Sequence, residues 1–222
     1  MKSSLKTVFF RPWTGVNYER GIRGKKILIS GESHICGCES CPKGGCGNLH
    51  IDDDECREFT TNTLESFLNY KKGETPETFG GWMNTFSKFT KEFYNWQLEE
   101  NVLFDFWKSV VFYNYVQYST DQARVSPKEE EFSNSETAFF EILTKYKPDL
   151  VIAWGRRLWE RLPHGGMYKS ISNDSSLIND GKGLYYYKVN GIDIPIMFVL
   201  HPSVPTFCYS AYGAISEALK QI

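Results

Sequence analysis

No run of apolar residues in this 222-residue chain approaches the roughly 18 that a membrane-spanning helix needs. The N-terminal MKSSLKTVFFRPW is basic but lacks the apolar centre of about 7 to 15 residues that marks a secretory signal, so a cytoplasmic protein without a membrane partner is expected. Neither a repeated segment nor a low-complexity tract is present. The chain has little net charge, −2, so the total alone does not suggest a nucleic-acid partner. The charge is unevenly placed, however. Residues 1 to 30 carry seven basic side chains against Glu19 alone, a balance of +6 that leaves −8 for the remainder, and a basic segment of this kind can guide phosphates or form a solvated surface. With 41% hydrophobic and 16% aromatic residues, the chain can bury a core of the size a single domain over residues 1–222 requires.

The core pattern is that of an α/β protein. Ile27, Leu28 and Ile29 form a short apolar run, Val110 to Tyr113 and Leu150 to Trp154 form two more, and Ile196 to Leu200 a fourth. Such uninterrupted runs fit parallel strands covered on both faces. Helical spacing appears over Arg57–Tyr70, Trp82–Trp96, Thr137–Tyr146, Arg157–Leu162 and Ala211–Ile222, with Asn134 or Ser135 available to cap the third. Asn190-Gly191 between two strand-like runs predicts a two-residue hairpin of type I′. The N-terminal arm is expected to pack through Phe9, Phe10 and Trp13. Strands alternating with helices predict a three-layer α/β/α arrangement around a central, mostly parallel four-stranded sheet.

Three of these strands end in polar groups. Gly31 lets the backbone turn after the first strand and presents Glu32, Ser33 and His34; the second strand ends in Asn114; the last delivers His201, Pro202 and Ser203. Open α/β sheets bind ligands at this C-terminal edge. Between the first strand and the first helix lies a glycine-rich, cysteine-dense insertion, residues 35–56, with Cys36, Cys38, Cys41, Cys46 and Cys56 and with His50 among them. Clustered thiols in a reducing compartment favour a metal over disulfides. Zinc on Cys36, Cys38, Cys41 and Cys46 is the first candidate, although C-x-C-x2-C-x4-C departs from paired C-x2-C knuckles; an iron–sulfur cluster and free thiols are the others.

Gly31-Glu32 after the first strand, Asn114 at the end of the second, PDLVIAWG on the third and His201-Pro202-Ser203 after the last resemble, in order and spacing, the uracil-DNA glycosylase superfamily. The resemblance covers most of residues 26 to 205, with identity confined to these short motifs. It implies a monomeric enzyme that binds single- or double-stranded DNA, flips a base out of the helix and hydrolyses its N-glycosidic bond. His201 would donate a hydrogen bond to the departing base, and Asn114, with one acceptor and two donors, would read the base edge. Glu32 is the nearest carboxylate for the sugar side. In the best-known branch an aspartate stands two residues after the motif glycine, and here that position is Ser33. Gly31 and His34 would line the pocket, Ser203 would hold a phosphate, and Tyr113, Tyr115 or Trp154 would stack on the base. Phe207 or Val204 would serve as the wedge that enters the duplex. In the iron–sulfur members the cysteines come in pairs separated by the first motif, whereas here all but Cys208 lie in one block after it.

Two other readings use the same residues. One keeps the fold as a nucleobase-, nucleotide- or DNA-binding module without catalysis, which the absent aspartate favours. The other is a serine hydrolase of the SGNH type, with Ser33 as nucleophile and His201 as its base. That class places an acid three residues before the histidine, where this chain has Phe198; it also lacks a Gly-x-Asn-Asp block and a Gly-x-Ser-x-Gly elbow.

Overall fold

The computed structural model describes residues 5–36, 54–74, 79–97, 100–120, 122, 125–163, 167–168, 184–209 and 211–222. The four expected strands are β2 (Ile27–Gly31), β4 (Val110–Asn114), β6 (Leu150–Trp154) and β9 (Ile192–Val199). They lie side by side in the order β4-β2-β6-β9, all parallel. Every residue of β2, β4 and β6 is buried, as their unbroken apolar runs require.

The sheet is wider than four strands and mixed. At one edge β1 (Trp13–Thr14) joins β4 antiparallel; at the other, β8 (Leu184–Val189) and β7 (Met167–Tyr168) extend β9 antiparallel, giving seven strands among the described residues. The N-terminal arm therefore packs as expected and also adds a short strand, fixed by Trp13 Nε1–H donating to the Trp107 carbonyl at 2.7 Å. Asn190 and Gly191 both have positive φ, 50° and 81°, the geometry a type I′ turn demands. Pro195 lies in β9, where it cannot donate to a ladder; the pairing of β9 with β6 begins one residue later, at Ile196. A second, two-stranded sheet continues beyond the first: β3 (His34–Ile35) runs parallel to β5 (Ser119–Thr120).

Helices cover both faces. Against Ile27, Ile29, Val110, Phe112, Ile152, Trp154, Met197 and Val199 pack α2 (Phe59–Lys72), α3 (Met83–Phe93), α4 (Glu100–Lys108) and the C-terminal α8 (Ala211–Gln221). Leu28, Val111, Tyr113, Val151, Ala153 and Ile196 face Phe132, Phe139, Ile142, Leu143 and Leu158 from α5 (Glu129–Asn134), α6 (Glu136–Tyr146) and α7 (Arg156–Arg161). This is the period-2 alternation of each strand made visible. Helix α4 lies where no helical period was read, and it buries Phe106 and Trp107 completely. Ser135 stands before α6, but its hydroxyl donates to the Glu131 carbonyl and accepts the Gln117 N–H; it joins α5 to the end of β4 instead of capping α6.

The insertion is not loop throughout residues 35–56. Its start belongs to β3, and its end forms the short helix α1 (Asp54–Arg57). Cys36 and Cys56 pack against the same cluster of Phe9, Phe10 and Phe59. No helix of the described residues is long and apolar enough to cross a membrane.

Candidate functional site

The C-terminal edge of the parallel strands gathers most of the residues named from sequence. Gly31 of β2 pairs with Asn114 of β4, and Trp154 of β6 with Val199 of β9, so these four end one layer on the face covered by α2, α3 and α8. His201 lies two residues past Val199. Its ring stands edge-on to Trp154, with centroids 6.0 Å apart, and the Cα of Gly155 lies beside it. Gly155, at φ 96°, turns the chain from β6 into α7 while its N–H still bonds the Val199 carbonyl at 2.9 Å.

His201 is held by its own turn. The Val204 N–H closes back on the His201 carbonyl at 3.0 Å, with Pro202 supplying the fixed φ of a turn. Within the turn, Nδ1 of His201 accepts the Ser203 N–H at 3.2 Å and lies 2.7 Å from Ser203 Oγ. Both contacts fall on Nδ1, so in the neutral ring the proton sits on Nε2. Burial, with the Arg157 charge, lowers the pKa of His201; Glu32 opposes this. The ring is thus a neutral donor at neutral pH. Ser203 spends its hydroxyl on His201 and does not present it for a phosphate.

Asn114 and His34 are in direct contact. The Asn114 Nδ2 lies 3.1 Å from His34 Nδ1 and 3.2 Å from Nε2, and Thr60 Oγ1 of α2 lies 3.0 Å from Nε2. His34 is buried, edge-on between Phe10 and Phe59 at 4.5 and 4.8 Å, and burial pushes its pKa down to about 3. Gly31 makes room for the amide on the other side, because a Cβ there would overlap Asn114 Oδ1.

Two residues that the sequence did not single out complete the edge. Arg157, at the start of α7, grips Glu32 with both arms: Nε donates to Oε2 at 2.6 Å and Nη2 to Oε1. Gln117 sits where the ladder slips. From Gly31–Asn114 to His34–Ser119 the β4 side has two more residues than the β2 side, and the buried Gln117 fills that excess. Its Oε1 accepts the N–H of Phe9 and of Phe10, at 2.8 and 3.0 Å, while its Nε2 donates to the Asn114 carbonyl at 2.9 Å. A lone glutamine after a strand carries no sequence signal for such a role; an arginine in the first turn of a helix that follows a strand edge carries only a faint one.

Several expected residues stand elsewhere. Tyr113 and Tyr115 point to the opposite face of the sheet, where Tyr115 packs edge-on against Phe139; strand alternation places them behind Asn114 and not beside it. Phe207 is fully buried against Phe89 and cannot act as a wedge, while Val204 is half-buried. Ser33 is half-buried, and its hydroxyl has no partner among the described residues. The Ser33–His201 hydrogen bond that a serine hydrolase needs is not among the contacts of either residue. Of the thiols, Cys36 and Cys56 are half-buried, and Cys38, Cys41 and Cys46, with His50, lie outside the described residues. Among those described, no group of three or more potential metal ligands forms.

A scan against models of known protein families finds no match, and a search of curated proteins finds none either.

Proposed function

We propose that this protein is a DNA glycosylase with a three-layer α/β/α fold of the uracil-DNA glycosylase type, acting on uracil or another modified base as a cytoplasmic monomer. The observation that carries the proposal is the pair of Ser203 contacts on His201 Nδ1, from its N–H at 3.2 Å and its Oγ at 2.7 Å, which leave Nε2 as the nitrogen that donates at the edge of the sheet. Hydrolysis of an N-glycosidic bond breaks the C1′–N bond with its electron pair leaving on the base. A neutral donor preorganised toward a base oxygen stabilises that charge, and removing one such donor typically costs about 2.7 to 4 kcal/mol in the transition state. A water adds to C1′ and the proton it loses passes to the departing base anion, leaving an abasic sugar and the free, neutral base.

The other residues supply position. Asn114 reads the edge of the flipped base, with Gly31 leaving space for its amide. The Glu32 carboxylate, clamped by Arg157, lies on the strand exit next to Gly31 and faces the sugar side, where positive charge develops. Ser33, with its hydroxyl unengaged among the described residues, holds the attacking water. Zinc bound by Cys36, Cys38, Cys41 and Cys46 belongs to the same proposal, with an iron–sulfur cluster as the other occupant; metal analysis of the purified protein decides between them, and no step of the reaction is assigned to it.

Single-turnover excision on oligonucleotides carrying uracil, hypoxanthine, xanthine or a modified cytosine tests the proposal, with His201→Ala and Asn114→Ala beside the wild type. Abasic product that disappears in both variants is expected. One observation favours a second reading, a base-binding module: Arg157 neutralises the only carboxylate at the strand exits described here. Folded, metal-replete protein that binds these oligonucleotides without releasing any base would establish it and overturn the glycosylase.

A further inference from the structure

We propose that Arg157 is a positioning residue for His201: by taking both oxygens of Glu32 it holds that carboxylate to α7 and off the imidazole, which keeps Nε2–H free as a neutral donor. This deepens the reading of His201 as the donor to a departing base and rests on it.

Three strand exits supply the cluster: Glu32 follows β2, Arg157 follows β6 through Gly155, and His201 follows β9. Backbone hydrogen bonds fix their placement. The Glu32 carbonyl accepts the Val116 N–H at 2.8 Å, and the Trp159 N–H closes the first turn of α7 on the Gly155 carbonyl at 3.1 Å. The Gly155 N–H in turn bonds the Val199 carbonyl two residues before His201. Few charges reach the imidazole. From β6 it meets Trp154 and Gly155, and from its own turn Ser203, none of them charged at neutral pH. Arg156, the other arginine in the first turn of α7, is committed to Glu160 at 2.7 Å. The charges that act on His201 are Glu32, which favours the imidazolium, and Arg157, which opposes it.

These two act on the ring as a pair. A carboxylate held bidentately by a guanidinium presents a dipole in place of a full charge, and its pull on a third group is correspondingly weak. Among the described residues every hydrogen bond of the Glu32 carboxylate comes from Arg157, and none from His201. The Glu32 side chain is only 13% exposed, against 40% for Arg157, so water is a poor substitute for the guanidinium. Without Arg157 the charge of Glu32 acts on His201 unopposed, and the ring takes its second proton at a higher pH. That proton falls on Nδ1, which can then no longer accept the Ser203 N–H, and the turn that seats the ring loosens. A donor that has lost its seat has lost the preorganisation on which its effect on a departing base depends.

The test follows the His201 ring across pH by two-bond 1H–15N spectra in wild type, Arg157→Gln, Arg157→Lys, Glu32→Gln and the double variant Arg157→Gln/Glu32→Gln, with His201→Gln to assign its signals among the four histidines. Arg157→Gln is expected to raise the His201 midpoint by about one pH unit or more, the usual effect of an uncompensated carboxylate nearby. The Ser203 amide should shift with the same midpoint. Arg157→Lys keeps the charge and should restore most of the wild-type value, while Glu32→Gln should lower the midpoint. The double variant should return it to the wild-type value or below, which loss of a merely structural arginine would not do. An unchanged midpoint in folded Arg157→Gln would overturn the proposal, as would a raised midpoint that persists in the double variant. If Arg157→Gln does not fold, Glu32→Gln decides: a lowered midpoint upholds the proposal and an unchanged one overturns it. Single-turnover uracil excision against pH is the second readout. Its acid limb in Arg157→Gln is expected to move upward by the same interval as the midpoint, and a limb that stays in place while the midpoint moves would also overturn the proposal. If the wild type excises no base, the glycosylase reading fails by itself, and the titrations still decide what Arg157 does to His201.

Discussion

Among the described glycines at the strand ends, Gly31 is the one where an added Cβ would overlap another functional group. Its backbone is ordinary strand, so alanine is not excluded by conformation; the obstruction is the Asn114 amide. Gly31→Ala is expected to destabilise the fold by about 1 to 3 kcal/mol through overpacking, as read from urea unfolding. It should also reduce base excision to the level of Asn114→Ala. Retained excision at wild-type rate would show that the amide does not work from this position. At this scale the sequence was partly legible. Glycine after a strand, asparagine at the end of the next and His-Pro-Ser after the last are short patterns with direct geometric meaning. Arg157 and Gln117 were not readable, because their roles depend on partners 125 and 108 residues away, Glu32 and Phe9. The same limit applies to His34, whose nearest neighbours Asn114 and Thr60 come from two other elements.

Among the elements, those with strong periodicity were readable and those built by context were not. Strands β2, β4 and β6 announce themselves because burial on both faces leaves only apolar residues, and the hairpin does so because few residues other than Asn and Gly tolerate two positive φ angles in sequence. Strand β1 has two residues, too short for any period, and exists because β4 has a free edge. The join between β4 and β5 is the element-level counterpart of Gln117: two extra residues on one side of a parallel ladder must be folded away, and an internal amide does this by substituting for strand hydrogen bonds. Gln117→Ala should therefore leave the N–H groups of Phe9 and Phe10 without acceptors. The expected cost is roughly 3 kcal/mol or more, since each unsatisfied buried donor costs about 1 to 3. Hydrogen exchange should show the Phe9 and Phe10 amides losing protection first, and unchanged protection there would refute the role given to this side chain.

For the whole molecule, acid is the expected weakness. His34 has a folded pKa near 3 against 6.5 when unfolded, so between those values the unfolded chain takes up a proton that the folded chain refuses. Stability is complete above pH 6.5 and falls as pH drops from there toward 3, by about 1.4 kcal/mol per pH unit for one proton. His201, also lowered by burial, adds to the loss just below its ordinary range. Burial raises the pKa of Glu141, but hydrogen bonds from Thr7 and Lys6 outweigh it and lower the pKa overall, so this carboxylate contributes stability that is likewise lost as pH falls. Urea unfolding at a series of pH values checks the slope, which His34→Gln should reduce; an identical slope in that variant would assign the acid sensitivity elsewhere. The class of the fold was legible at this scale from alternation alone. Its width was not, because edge strands are short and take their partners from distant parts of the chain. The shared cluster of Phe9, Phe10 and Phe59 under Cys36 and Cys56 has a consequence for how such a chain can change over time. A change at Phe9, Phe10 or Phe59 is felt at both thiols at once, so these three rings and the two cysteines on them are constrained to vary together.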